Sequence, residues 1–183
     1  MAIPINIIKE RCCDTDLSQF TIIDGDKEAK SFNKINKSDY SSVDKIIECQ
    51  DKYYLVEEKS ISLGFLDRCC EKKEFDTFKS NGILNISRLI KEKIQPLDIS
   101  IKKQKLQDTI DDLLSSQSKK VKDMTYILNE RFDNNKTSNM PLFYLYCNTT
   151  KEIDMIINRV LQLKKTPFIE CKKLKQKLQE ECI

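Results

Sequence analysis

The chain has 183 residues, enough to bury a real core, and one domain over 1–183 by the usual size of domains. Its 32 basic and 29 acidic residues give a net charge of +3, which allows a local basic patch but does not mark a nucleic-acid binder by itself. It contains no His and only 3 Gly, which excludes His general bases, His zinc ligands and glycine-rich phosphate loops, and leaves any chemistry to carboxylates, Lys, Cys, Tyr or Ser.

The N-terminal stretch "MAIPINIIKERCCD" has no basic region and no cleavage site, so a signal peptide is not expected. Pro4 suits the first turn of a helix through "INIIKERCC". "QFTIID" reads as a strand ended by Gly25, and the polar residues 26–40 as a short helix or a loop. "VDKIIECQDKYYLVEEKS" then reads as two strands joined by a tight turn at "CQDK".

After Ser60 the pattern turns helical. "FLDRCCEKKEFDTF" and "ILNISRLIKEKI" are separated by Asn81-Gly82, and the second stops near Pro96. Residues 97–140 lack Gly and Pro. Ile110, Leu113, Leu114, Val121, Met124, Ile127 and Leu128 recur there at helical spacing, in one long helix or two divided at "SSQS". That stripe suits burial against the domain's own sheet or the seam of a homodimer. "PLFYLYC" is a buried strand by length and aromatic content. Thr149 and Glu152 form a capping box for "KEIDMIINRVLQLKK", Pro167 opens a short extended piece, and "CKKLKQKLQEEC" sets Cys171, Leu174, Leu178 and Cys182 on one helical face. The order implies an α/β protein, a small mixed sheet flanked by helices.

The 8 Cys (Cys12, Cys13, Cys49, Cys69, Cys70, Cys147, Cys171, Cys182) form no CxxC pair. All are expected to be reduced thiols, with no disulfide and no zinc, in a cytoplasmic protein. No apolar run reaches the roughly 20 residues that cross a bilayer, so no membrane partner is expected.

One local feature resists a purely structural reading. Side chains alternate along a strand, so Tyr53, Leu55, Glu57 and Lys59 share one face while Tyr54, Val56 and Glu58 share the other. A carboxylate and an ammonium therefore project together from the end of an apolar strand. Asp44 opens the preceding strand, where a hairpin with unequal arms brings it toward Glu57. Two carboxylates beside a strand end are hard oxygen donors suited to magnesium or manganese.

Asp44, twelve intervening residues, then Glu57-Glu58-Lys59, split across two apolar strands, resembles the PD-(D/E)XK nuclease superfamily. The resemblance implies a restriction-endonuclease-like core of helix, three strands, helix, strand and helix, here with an expanded helical block between the third and fourth strands. It implies a metal-dependent nuclease acting on DNA. Asp44 and Glu57 would hold the metal, the backbone carbonyl of Glu58 would add a ligand, and Lys59 would orient the attacking water and offset transition-state charge. An acidic residue on the first helix often joins such sites; Glu10 is the candidate and Glu28 the reserve. Val43 stands where the family often has Pro, and Glu58 where a hydrophobic residue is usual. The alternative expectation is a non-enzymatic interaction protein whose long helical segment binds a partner or a second copy.

Overall fold

A computed structural model of the chain describes residues 3–4, 17–58, 61–70, 83–84, 90–132, 134–138, 140–146, 155 and 168–182. In chain order its first elements are β1 (Ile3–Pro4), β2 (Thr21–Asp24), α1 (Gly25–Asn36), β3 (Lys45–Glu48), β4 (Tyr53–Glu58) and α2 (Ile61–Cys69). There follow β5 (Ile83–Leu84), a π-helical turn at Ile90–Ile94, α3 (Ile99–Leu114), α4 (Gln117–Arg131), a 3-10 turn at Asn134–Lys136, β6 (Leu142–Tyr146), β7 (Phe168–Glu170) and α5 (Cys171–Cys182). The expected helix over 5–13, residues 71–78 of "FLDRCCEKKEFDTF", residues 85–89 of "ILNISRLIKEKI" and, except at Met155, the expected helix over 151–165 with the Thr149–Glu152 capping box fall outside the described residues.

The chain divides into two compact units. One comprises Thr15–Glu58, Leu114–Leu145 and Pro167–Ile183; the other comprises Met1–Asp14, Lys59–Leu113 and Tyr146–Thr166. The first unit is an α/β sandwich on a five-stranded mixed sheet, in the order β2-β3-β4-β6-β7. β2, β3 and β4 are successively antiparallel, and β6 runs parallel to β4. The hairpin between β3 and β4 arises where the apolar alternation breaks at "CQDK", with the Cys49 N–H donating to the Lys52 carbonyl (3.0 Å).

The two faces of this sheet follow from the period of two. Ile46, Tyr53, Leu55, Leu142 and Tyr144 meet Ala29 and Phe32 of α1 and Met124, Ile127 and Leu128 of α4 in one core. On the opposite face Tyr54 stacks on Phe143, the Tyr54 hydroxyl reaches Glu181 of α5 (2.5 Å), and the Lys177 ammonium sits over the Phe143 ring. Leu174 and Leu178, four apart on α5, are fully buried.

The undecided stretch after β2 is helical because Asp24 caps it. Its Oδ1 accepts from the Lys27 N–H (2.9 Å), and Asp26 and Glu28 complement the dipole in the first turn. Gly25 is required at this corner: a Cβ would fall 2.9 Å from Val43 Cγ2 and closer still to the Val43 carbonyl oxygen. The return segment is pinned to both helices. Asn33 of α1 holds Ser38 and Tyr40 through its side chain, and Asp123 of α4 accepts from the Ser41 N–H (2.8 Å). These ties fix the approach to β3.

Ile99–Leu114 and Gln117–Arg131 are two helices broken at Ser115-Ser116, as the "SSQS" division allowed. Met124, Ile127 and Leu128 are buried in the sheet unit's own core, which favours the burial reading of the stripe over the seam. In the other unit, α2 buries Ile61, Phe65 and Leu66, and α3 buries Leu106, Thr109 and Ile110. α2 and α3 cross at Gly64, where a Cβ would stand 2.8 Å from Thr109 Cγ2. β1 pairs antiparallel with β5. This corrects two expectations: Pro4 lies in a short strand pair and not in a helix turn, and Ile83-Leu84 are extended. Two-residue strands are too short to leave a periodic signal. Among the described residues no helix is long and apolar enough to cross a membrane.

Candidate functional site

Lys45 pairs with Val56 across the hairpin. One step further along both strands, the same register sets Asp44 opposite Glu57. On the other side of β4, Glu57 is the register partner of Tyr144 on β6. Glu57 has the parity of Tyr53 and Leu55 and so belongs to the face covered by α1 and α4; Asp44 lies in a bend just before β3, where Val43 enters the same core as Ile46 and strict alternation no longer holds. In register, Asp44, Glu57 and Tyr144 form a row at one end of the sheet.

The two carboxylates are held differently. Asp44 is half-buried, and its Oδ2 accepts the Glu58 N–H (2.5 Å). Glu57 is only 1% exposed, and its Oε1 accepts from the Lys120 ammonium of α4. A carboxylate so enclosed is tolerable because a cation accompanies it. Beside it, Tyr144 is 1% exposed, and among the described residues its hydroxyl has no partner at hydrogen-bond geometry. Burial first, then the negative charge of Glu57, push the phenol up to about 12; Ser116 lies near enough to hold it back somewhat.

Glu58 points to the other face, as its parity requires, where it pairs with Lys45. Lys59 and Glu10 fall outside the described residues. Glu28 does not join Asp44; it is engaged by Arg131 of α4 (2.6 Å). The described residues contain no group of three or more His, Cys, Asp or Glu arranged to hold a metal ion.

Asp44 also lines an open groove of about 740 Å³ along α1, together with Asp24, Asp26, Lys27, Lys30, Ser31 and Lys34. The acids gather where β2 and β3 meet the start of α1, and the lysines continue down the helix.

No protein-family model matches the chain, and no curated protein or solved structure was found to be similar to it.

Lys120 and Tyr144 were not singled out from sequence. Lys120 sits in "SKKVKD", which reads as a solvated face. A signal existed nonetheless: Lys120 precedes Met124 by four and Ile127 by seven, on the apolar stripe, whereas Lys119 and Lys122 do not. Both of those neighbours are exposed.

Two of the cysteines correct the all-thiol expectation. Cys49, at the β3–β4 turn, and Cys182, at the end of α5, form a disulfide with Cα atoms 5.0 Å apart, although 133 residues separate them. Sequence spacing says nothing about a contact the fold creates at that range. Cys69, in the doublet beside Arg68, is a thiol that burial pushes up to about 11, the wrong direction for a nucleophile.

Proposed function

We propose that the protein is a metal-dependent nuclease of PD-(D/E)XK type, hydrolysing phosphodiester bonds in DNA. The observation that carries this reading is Glu57 at the end of β4 with Asp44 next to it in register, Asp44 opening into a groove lined in part by lysines. The element order agrees with it in part: α1 intervenes between β2 and β3, but three successively antiparallel strands are followed by a helical block and then by β6 parallel to β4. In this reading the core is restriction-endonuclease-like, with α2, α3 and α4 as the expanded block.

Asp44, Glu57 and the Glu58 carbonyl would hold magnesium or manganese, which supplies a Lewis acid and a more acidic bound water. Lys59 retains the role that the resemblance gives it, orienting the attacking water. Lys120 places an ammonium at Glu57. It lowers the cost of keeping that carboxylate ionised in a buried place, and a carboxylate can share an ammonium with a divalent ion through its two oxygens. The Glu58 N–H fixes the rotamer of Asp44, so the first metal-binding group is oriented before any ion arrives.

The Lys120–Glu57 pair also favours a second reading, in which it is a structural ion pair and the chain is a non-enzymatic interaction protein. One assay separates them: digestion of single-stranded, duplex and branched DNA with magnesium or manganese, with Lys59→Ala and Asp44→Asn as controls. Metal-dependent cleavage lost in both variants is the expected result. No cleavage of any substrate, or cleavage as fast as wild type in both variants, sinks the nuclease reading and leaves the second.

A further inference from the structure

The groove beside α1 is polarised. Its acidic end comprises Asp24, Asp26 and Asp44, and each of these already accepts a hydrogen bond from the protein: from the Lys27 N–H, the Ser42 hydroxyl and the Glu58 N–H respectively. Its other side comprises Lys27, Lys30 and Lys34, all exposed. None of these three ammonium groups has a carboxylate partner among the described residues. Elsewhere in the sheet unit, Lys45, Lys120, Arg131, Lys136 and Lys177 do, whereas Lys119 and Lys122 on α4 share the lack but do not line this groove with the acids.

The spacing of the three lysines is regular. Positions i, i+3 and i+7 lie on one stripe of a helix, and seven residues at 1.5 Å each span about 10 Å. One strand of B-form DNA rises by 3.4 Å per nucleotide, so the stripe covers roughly three nucleotide steps. A single small anion would need its donors converging on one point; donors strung along a helix suit a ligand whose charge repeats along a line.

We propose that Lys27, Lys30 and Lys34 form a rail for the sugar-phosphate backbone of one nucleic-acid strand, running along α1 toward Asp44. The direction of the rail rests on the nuclease reading; the binding itself does not. Lysine contacts to phosphate position a strand without reading its sequence, so the rail gives sequence-tolerant, salt-sensitive binding.

The test is fluorescence anisotropy with labelled DNA of about 20 nucleotides, as single strand and as duplex, in EDTA so that nothing is cut, across a salt series. Wild type should bind at least one form. The triple variant K27Q/K30Q/K34Q should bind about ten- to a hundredfold more weakly at low salt, and the slope of log affinity against log salt should fall by about 2 to 3. K119Q/K122Q, on exposed positions of α4, should bind as wild type does. No binding of either form, an unchanged slope in the triple variant, an equal loss in K119Q/K122Q, or displacement by polyglutamate as effective as by unlabelled DNA would each overturn the proposal. DNA bound through these lysines but never cut in manganese keeps the rail and removes the nuclease, so the two failures are distinguishable.

Discussion

The two faces of the sheet unit are fastened by different physics. On the α1/α4 face, a close-packed apolar core surrounds one buried ion pair, Glu57 with Lys120. On the α5 face, Leu174 and Leu178 are buried, and the helix is also tied down by a covalent bond, Cys49–Cys182, by the Tyr54–Glu181 hydrogen bond and by the Lys177 ammonium over the Phe143 ring. The contrast is sharpest at two consecutive residues. Glu57 and Glu58 both end β4 and both pair with a lysine, yet Glu57 is 1% exposed and the Glu58 side chain 26%. Solvent decides what each pair is worth, because water screens the second at both partners and reaches the first only from the Lys120 side.

The largest expected effect follows from removing Lys120. Lys120→Ala leaves the enclosed Glu57 carboxylate without its ammonium, which should cost about 3–5 kcal/mol. Urea unfolding of the variant measures this directly. The double variant Lys120→Met/Glu57→Leu, which removes both charges and keeps volume, should recover most of the loss. If Glu57 accepts a divalent ion, millimolar manganese should also restore part of the stability of Lys120→Ala, by about 2.7 kcal/mol at a hundredfold excess over the dissociation constant. A loss below about 1 kcal/mol would mean that Glu57 is in contact with water and that the two faces are alike.

How much of this was legible in the sequence depends on range. The β3–β4 hairpin, the break of 97–140 into two helices, strand β6 and helix α5 all follow from alternation or helical spacing within a few residues, and the register of a short hairpin then sets Asp44 opposite Glu57. What escaped were contacts created by packing. Lys120 meets Glu57 across 63 residues, Tyr144 joins the row only because β6 lies parallel to β4, and Cys49 meets Cys182 from the far end of the chain. The burial of Glu57 escaped for the same reason: a charge at a strand end reads as solvated until a helix is known to cover it.

The α5 face should respond to reductant in a way the other does not. Closing a loop of 133 residues restricts the unfolded chain, by about 5 kcal/mol in the chain-entropy treatment, although measured values are usually about 2–4. Reduction should therefore lower the stability of the whole unit by an amount in that range, while hydrogen exchange should show α5 opening ahead of α1 and α4. Thiol titration of the denatured, unreduced chain should find no more than 6 of the 8 cysteines reactive, the remainder after two are bonded. Eight reactive thiols under oxidising conditions would show that α5 is held by non-covalent contacts alone, and the contrast between the faces would lose its main element.

The smallest effect is expected at Glu58. Its pair with Lys45 is shared with solvent, and such pairs are worth about 0–1 kcal/mol. Glu58→Val removes that pair but adds a β-branched side chain that suits a strand, so the net change in stability should stay within about 0.5 kcal/mol. The backbone of Glu58 is unaltered in this variant: its N–H still donates to Asp44, and its carbonyl is still offered to a metal. Cleavage, if the nuclease reading holds, should therefore survive Glu58→Val while Glu57→Gln abolishes it. The measurement is a pair of melts and a pair of digestions. Should Glu58→Val instead cost as much as Lys120→Ala, Glu58 would be the enclosed carboxylate, the strand would be out of register by one residue, and the assignment of faces would have to be reversed.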